Sequence, residues 1–127
     1  MFGKGRVEIN EQDQPQTLWL SAVVLEEVYV GALDSKIKKL LENFEKNFEN
    51  INRLLMPNKT DWTICGQVLS MVGSKYGFDL VKRARMTNDC LIAMSARRKG
   101  LKVITHNAFY FEIISEFRPF DWEEITE

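Results

Sequence analysis

Glu27 and Asp89 are the side chains on which chemistry would centre in this sequence, with Asn107 and Thr105 as polar companions. A hard divalent cation such as Mg2+ needs clustered oxygen ligands and keeps several waters, so carboxylates gathered at one sheet edge suit it. Such an ion activates a water and neutralises charge on a phosphodiester, which makes metal-assisted hydrolysis the chemistry within reach. The competing reading is that both acids only complement helix dipoles in exposed first turns.

These residues meet only if the chain folds back on itself, and Met86 to Phe111, MTNDCLIAMSARRKGLKVITHNAFYF, predicts that it does. Thr87 is expected to cap a helix with Asn88 and Asp89 in its first turn, and Cys90 to Ala96 is apolar on nearly all sides, as a buried helix requires. Gly100 ends it, Leu101 to Thr105 reads as an interior strand, and Asn107 opens the next helical stretch. About twelve helical residues climb roughly 18 Å and about six strand residues return roughly 20 Å. The helix start and the strand exit therefore share the carboxyl edge of a sheet, where α/β proteins place their sites.

Upstream, Thr17 to Val23 reads as a core strand running into a helix, Val24 to Leu33, with Glu26 and Glu27 in its first turn at the same edge. The opening MFGKGRVEINEQDQPQ is mostly loop, with enough alternation in Arg6 to Ile9 for a brief strand. Asp34 to Asn50 is an amphipathic helix whose stripe of Ile37, Leu40, Leu41, Phe44, Phe48 and Ile51 is either core or a groove for a second copy or a partner. Arg53 to Met56 is expected to be a short strand, Thr60 to cap a helix over Asp61 to Tyr76, and Phe78 to Arg85 to form a loop or a partly ordered turn. Ala108 to Phe117 is a helix with Phe111, Ile113 and Ile114 inward, and the stretch from Pro119 to Glu123 an edge strand or tail. Alternating strands and helices indicate one α/β domain over residues 1–127 with helices on both faces of a parallel sheet.

Composition sets outer limits. Seventeen basic against 18 acidic residues leave no global field for nucleic acid or membrane, so a polyanion must be met by a local patch. Lys82, Arg83 and Arg85, just ahead of the Asp89 helix, are that patch for RNA phosphates. Arg97, Arg98 and Lys99 lie at the far end of the helix and are expected to be solvated. His106 has no nucleophile partner and reads as a bystander. Cys65 and Cys90 lack metal spacing and read as buried free thiols, which fits a reducing cytoplasm. No apolar run reaches the length of a membrane span, and no signal peptide is visible.

The run TNDCLIAMSARRKGLKVITHNAFYF, with LSAVVLEEVYVGA and the spacing between them, resembles the PIN-domain family, especially the toxin ribonucleases of bacterial VapBC-type toxin–antitoxin pairs. The similarity covers almost the whole chain from Thr17 onward. It implies a three-layer α/β/α sandwich with a parallel central sheet and an endoribonuclease dependent on Mg2+ or Mn2+. An antitoxin protein and a second copy of the chain are the protein partners it suggests. Carried over residue by residue, the family's acids fall on Glu27 and Asp89, and its Asp or Asn after the following strand falls on Asn107. A further family Asp falls on Tyr110.

The family's opening strand, with a metal-binding Asp at its end, has no counterpart here, and Asp13 precedes the second strand and would reach the opposite edge. That strand normally sits mid-sheet. Its slot is filled by Arg6 to Asn10, or by another chain, or is closed by its neighbours, or the start codon lies further upstream. Two functions follow: a metal-dependent endoribonuclease, weak or inactive in this form, or a degenerate PIN-like domain that binds RNA or a protein without cutting.

Overall fold

The computed structural model describes residues 5–9 and 17–125, so Asp13 and Asn10 lie outside the described residues. In chain order the elements are β1 (Gly5–Ile9), β2 (Thr17–Ser21), α1 (Ala22–Gly31), α2 (Ser35–Asn50), β3 (Leu54–Leu55), α3 (Lys59–Tyr76), α4 (Phe78–Val81), α5 (Ala84–Arg98), β4 (Leu101–Thr105), α6 (Phe109–Phe117) and β5 (Trp122–Glu124). The strands form one sheet in the order β3-β2-β1-β4-β5.

The slot at the centre of the sheet is filled by β1, and it runs against its neighbours. β2 pairs parallel with β3 and β4 parallel with β5, whereas β1 is antiparallel to both β2 and β4. Fewer residues separate Ile9 from Thr17 than the dozen or more a parallel crossover takes, which agrees with the antiparallel pairing of β1 and β2. Direction decides what the strand can deliver. Gly5 lies in register with Thr105 and Ile9 with Leu101, so the end of β1 reaches the edge away from the expected site. Its acid, Glu8, is in register with Leu18 and Lys102, towards that far edge.

Helix boundaries depart from the expected ones where a cap was misread. Ser21 accepts hydrogen bonds from the Val23 and Val24 backbone N–H groups, so α1 begins at Ala22 rather than Val24. Asn58, not Thr60, caps α3 through a capping box with Asp61. Phe78 to Arg85 is more ordered than a loop or a partial turn: α4 occupies its first half, and α5 starts at Ala84 with Met86 fully buried in its first turn, which leaves Thr87 inside the helix. At its other end Gly100 adopts φ +69°, the left-handed turn into β4 that glycine supplies without strain.

Alternation along the strands shows the layers. Trp19, partly buried, packs against the cluster that includes Cys65, Val68, Cys90, Met94, Val103 and Phe111, whereas Leu20 belongs to the cluster of Leu25, Ala32 and Leu41. Leu55 and Leu54 divide between the same two clusters. Successive strand residues face opposite ways, so there is a core on each side of the sheet, the arrangement of an α/β/α sandwich. The larger core surrounds α5, where Cys90 to Ala96 are all buried. Cys65 and Cys90 are both buried and free.

The stripe on α2 is less buried than core packing demands. Leu41 alone is fully covered, while Ile37, Leu40 and Ile51 remain exposed together with Val30 and Leu33 of the preceding turn. Among the described residues no helix is long and apolar enough to cross a membrane.

Candidate active site

Glu27 sits in the helix that follows β2 and Asp89 in the helix that follows α4, and both lie one turn deeper than the sequence suggests. Glu27 is in the second turn of α1 and Asp89 in the second turn of α5, and neither helix carries an acid in its first turn. Complementing the helix dipole, an effect confined to the first turn, does not account for them. The two elements touch at this level: Asn88 Nδ2 donates to Glu27 Oε2 at 3.2 Å, which sets Glu27 beside the start of the buried part of α5.

Asp89 is 3% exposed. Its Oδ2 is buried without a hydrogen-bond partner, and the Nε of Arg85, one turn back, stands 3.6 Å away. That distance is outside hydrogen-bond range, so charge alone relates the two groups. Burial pushes the Asp89 carboxyl up to about 7; Arg85 opposes the rise and the nearby Glu27 charge adds to it. What joins the two helices here is the Asn88 hydrogen bond to Glu27, one residue from Asp89.

Thr105 is buried at the end of β4, and its Oγ1 accepts from the Asn107 backbone N–H at 3.1 Å. Asn107 Oδ1 accepts in turn from the Phe109 N–H at 3.3 Å, so this side chain helps start α6. Asn107 and His106 are exposed. The three cations expected to meet RNA take different positions. Lys82 is exposed, Arg83 Nη1 donates to the Tyr110 hydroxyl at 3.4 Å, and Arg85 turns inward to Asp89 with its side chain 21% exposed. At the far end, Arg98 is exposed as expected but is not free. It donates through Nε to Asp61 Oδ2 at 3.0 Å and through Nη2 to the Met56 carbonyl at 2.9 Å, pinning the end of α5 to the start of α3.

Among the described residues no group of three or more His, Cys, Asp or Glu side chains gathers at metal-binding spacing. The donors expected from the sequence are fewer: Glu27 and Asp89 as carboxylates, with Asn107 as a neutral oxygen. Mg2+ is commonly held by one or two carboxylates, its own waters and substrate phosphates, so a pair suffices. An anion buried with one oxygen unpartnered is costly unless a cation meets it. By that measure the residues present fit a divalent ion. A separate cavity of about 440 Å3, lined by Trp19, Asn52, Leu54, Pro57, Arg98 and Lys99 among others, contains none of these groups.

Two features of the rim escaped the sequence reading: the Asn88 bridge to Glu27 and the inward turn of Arg85. The second had a signal, since Arg85 and Asp89 are four apart on one helix face. A family model described as the PIN domain matches residues 5–113. No curated protein and no solved structure matches the chain.

Proposed function

The chain belongs to the PIN-domain family, and on that premise we propose that it is a Mg2+- or Mn2+-dependent endoribonuclease acting as the toxin of a toxin–antitoxin pair in the cytoplasm. What supports the proposal is Asp89 Oδ2, buried and unpartnered, one residue from the Asn88 that hydrogen-bonds Glu27. Glu27 and Asp89 hold the ion directly, Asn107 supplies a neutral oxygen, and Thr105 keeps the turn carrying Asn107 in place. What a divalent ion supplies when bound is an activated water and charge neutralisation at the phosphodiester. Lys82 and Arg83, exposed ahead of α5, meet the phosphates on either side of the scissile bond. The apolar surface of Val30, Leu33, Ile37 and Leu40 supports a protein partner, an antitoxin or a second copy, because exposed apolar groups in one neighbourhood favour association.

A second reading has its own support. Tyr110 stands where the family carries a further acid, β1 brings no acid to the rim, and Arg85 occupies space beside Asp89. These features suit a PIN fold that binds RNA or a protein without cutting it. Incubating the full chain with single-stranded RNA and Mg2+ or Mn2+, beside an Asp89→Asn variant, separates the two. Cleavage that disappears in the variant supports the nuclease; RNA retention without cleavage by either chain supports the binding module.

A further inference from the structure

Arg85 and Asp89 form an unusual pair. They are neighbours on one helix face, one with its side chain 21% exposed and the other 4%, and their closest charged atoms are 3.6 Å apart. Arg85 Nε and Nη2 and Asp89 Oδ2 are all buried, and none has a hydrogen-bond partner. A guanidinium and a carboxylate that are meant to stay together close into hydrogen-bonding distance, ideally as a bidentate fork; Arg98 Nε, for comparison, donates to both Asp61 oxygens at 3.0 and 3.2 Å. Nor does the helix favour the pair, since the order Arg before Asp is the weaker one and a cation opposes the dipole in a first turn.

We propose that Arg85 is a displaceable counter-ion that holds the place of the metal, and that it leaves Asp89 for a phosphate of the incoming RNA as the divalent ion binds. This rests on the metal site proposed above. Moving Arg85 away breaks no hydrogen bond, and a phosphate gives its fork the acceptors that it lacks beside Asp89. Neither half of the exchange is favourable alone. Departure of Arg85 without a cation leaves a buried carboxylate uncompensated, and entry of a cation beside a resident guanidinium sets like charges together. Together both charges are met. Metal and RNA phosphate therefore bind cooperatively, each strengthening the other by the same factor. Arg85 is in this sense a positioning residue whose side chain decides when the carboxylates are open.

The test is Mn2+ binding to the full chain by calorimetry, with and without a short 2′-O-methyl RNA whose phosphodiesters resist this chemistry. In the wild type the RNA should tighten Mn2+ binding about tenfold, the factor expected if the open form is populated roughly one-tenth of the time. Arg85→Met should bind Mn2+ about tenfold more tightly than the wild type without RNA, and RNA should add nothing. Arg85→Lys, which keeps the charge, should restore the coupling. Should Arg85→Met fold poorly, the Arg85 Nε resonance of the unmodified chain reports the same event and should shift when Mn2+ is replaced by diamagnetic Mg2+ plus RNA, relative to the metal-free chain. Equal Mn2+ affinities in wild type and Arg85→Met, with no change on adding RNA, overturn the counter-ion role while leaving the metal site standing. Absence of Mn2+ binding in every chain, with or without RNA, overturns both.

Discussion

Replacing Asp89 with Asn should make the metal-free chain more stable, and increasingly so as pH rises. Burial lifts this carboxyl from the ordinary 3.8 to about 7. A rise of about 3 units at about 1.4 kcal/mol per unit means that ionising Asp89 in the folded chain costs on the order of 4 kcal/mol. Between these values the folded chain keeps a proton that the unfolded chain has released. The contribution of Asp89 to stability is therefore greatest below about pH 4, falls as pH rises towards about 7, and is level above it. An Asn has no proton to lose, so Asp89→Asn should match the wild type near pH 4 and exceed it by up to about 4 kcal/mol at pH 8. Urea denaturation of both chains in chelator, from pH 4 to pH 8, reads the difference directly. Adding Mg2+ at pH 8 should then stabilise the wild type and leave the variant unmoved, because only a carboxylate gains from the ion. A variant no more stable than the wild type at pH 8, or an advantage independent of pH, refutes the reasoning that Asp89 is a buried charge in want of a cation.

Three further perturbations follow from single contacts. Glu27→Gln removes a charge that raises the Asp89 carboxyl, so its midpoint should fall below about 7, as read by NMR titration. Ser21→Ala deletes the cap that starts α1 and should cost about 1 kcal/mol in denaturant melts. Asp61→Ala breaks the capping box of α3 and strips Arg98 of its carboxylate at 3.0 Å, so a loss of roughly 3 kcal/mol is expected by the same measurement.

What the sequence disclosed, and what it hid, divides along physical lines. The α5–β4 unit was legible because burial on all sides of Cys90 to Ala96 and a glycine at Gly100 leave few alternatives. The strands at Thr17, Leu54 and Leu101 were legible from their apolar runs. Helix starts were harder. Ser21 and Thr87 are equally good caps on paper, and only Ser21 acts as one, because burial of Met86 draws the preceding turn into α5. The direction of β1 was open to view in the shortness of its link to β2, yet it was missed: the alternation in Arg6 to Ile9 reports a strand but not which way it runs. The exposure of Leu40 and Ile51 was beyond pattern reading, since an amphipathic stripe states that a face is apolar and not how much protein there is to cover it. Arg85 was assigned to RNA from its place in the chain; its turn towards Asp89 depends on how deeply the carboxylate is buried, which spacing alone does not express.

The most direct measurement is the stoichiometry of Mn2+ bound to the chain at pH 8 in the presence of the resistant RNA, followed by electron paramagnetic resonance. The account predicts one ion per chain, lost in Glu27→Gln and in Asp89→Asn alike. Binding that survives both substitutions, or a wild type that takes up no ion, would contradict it.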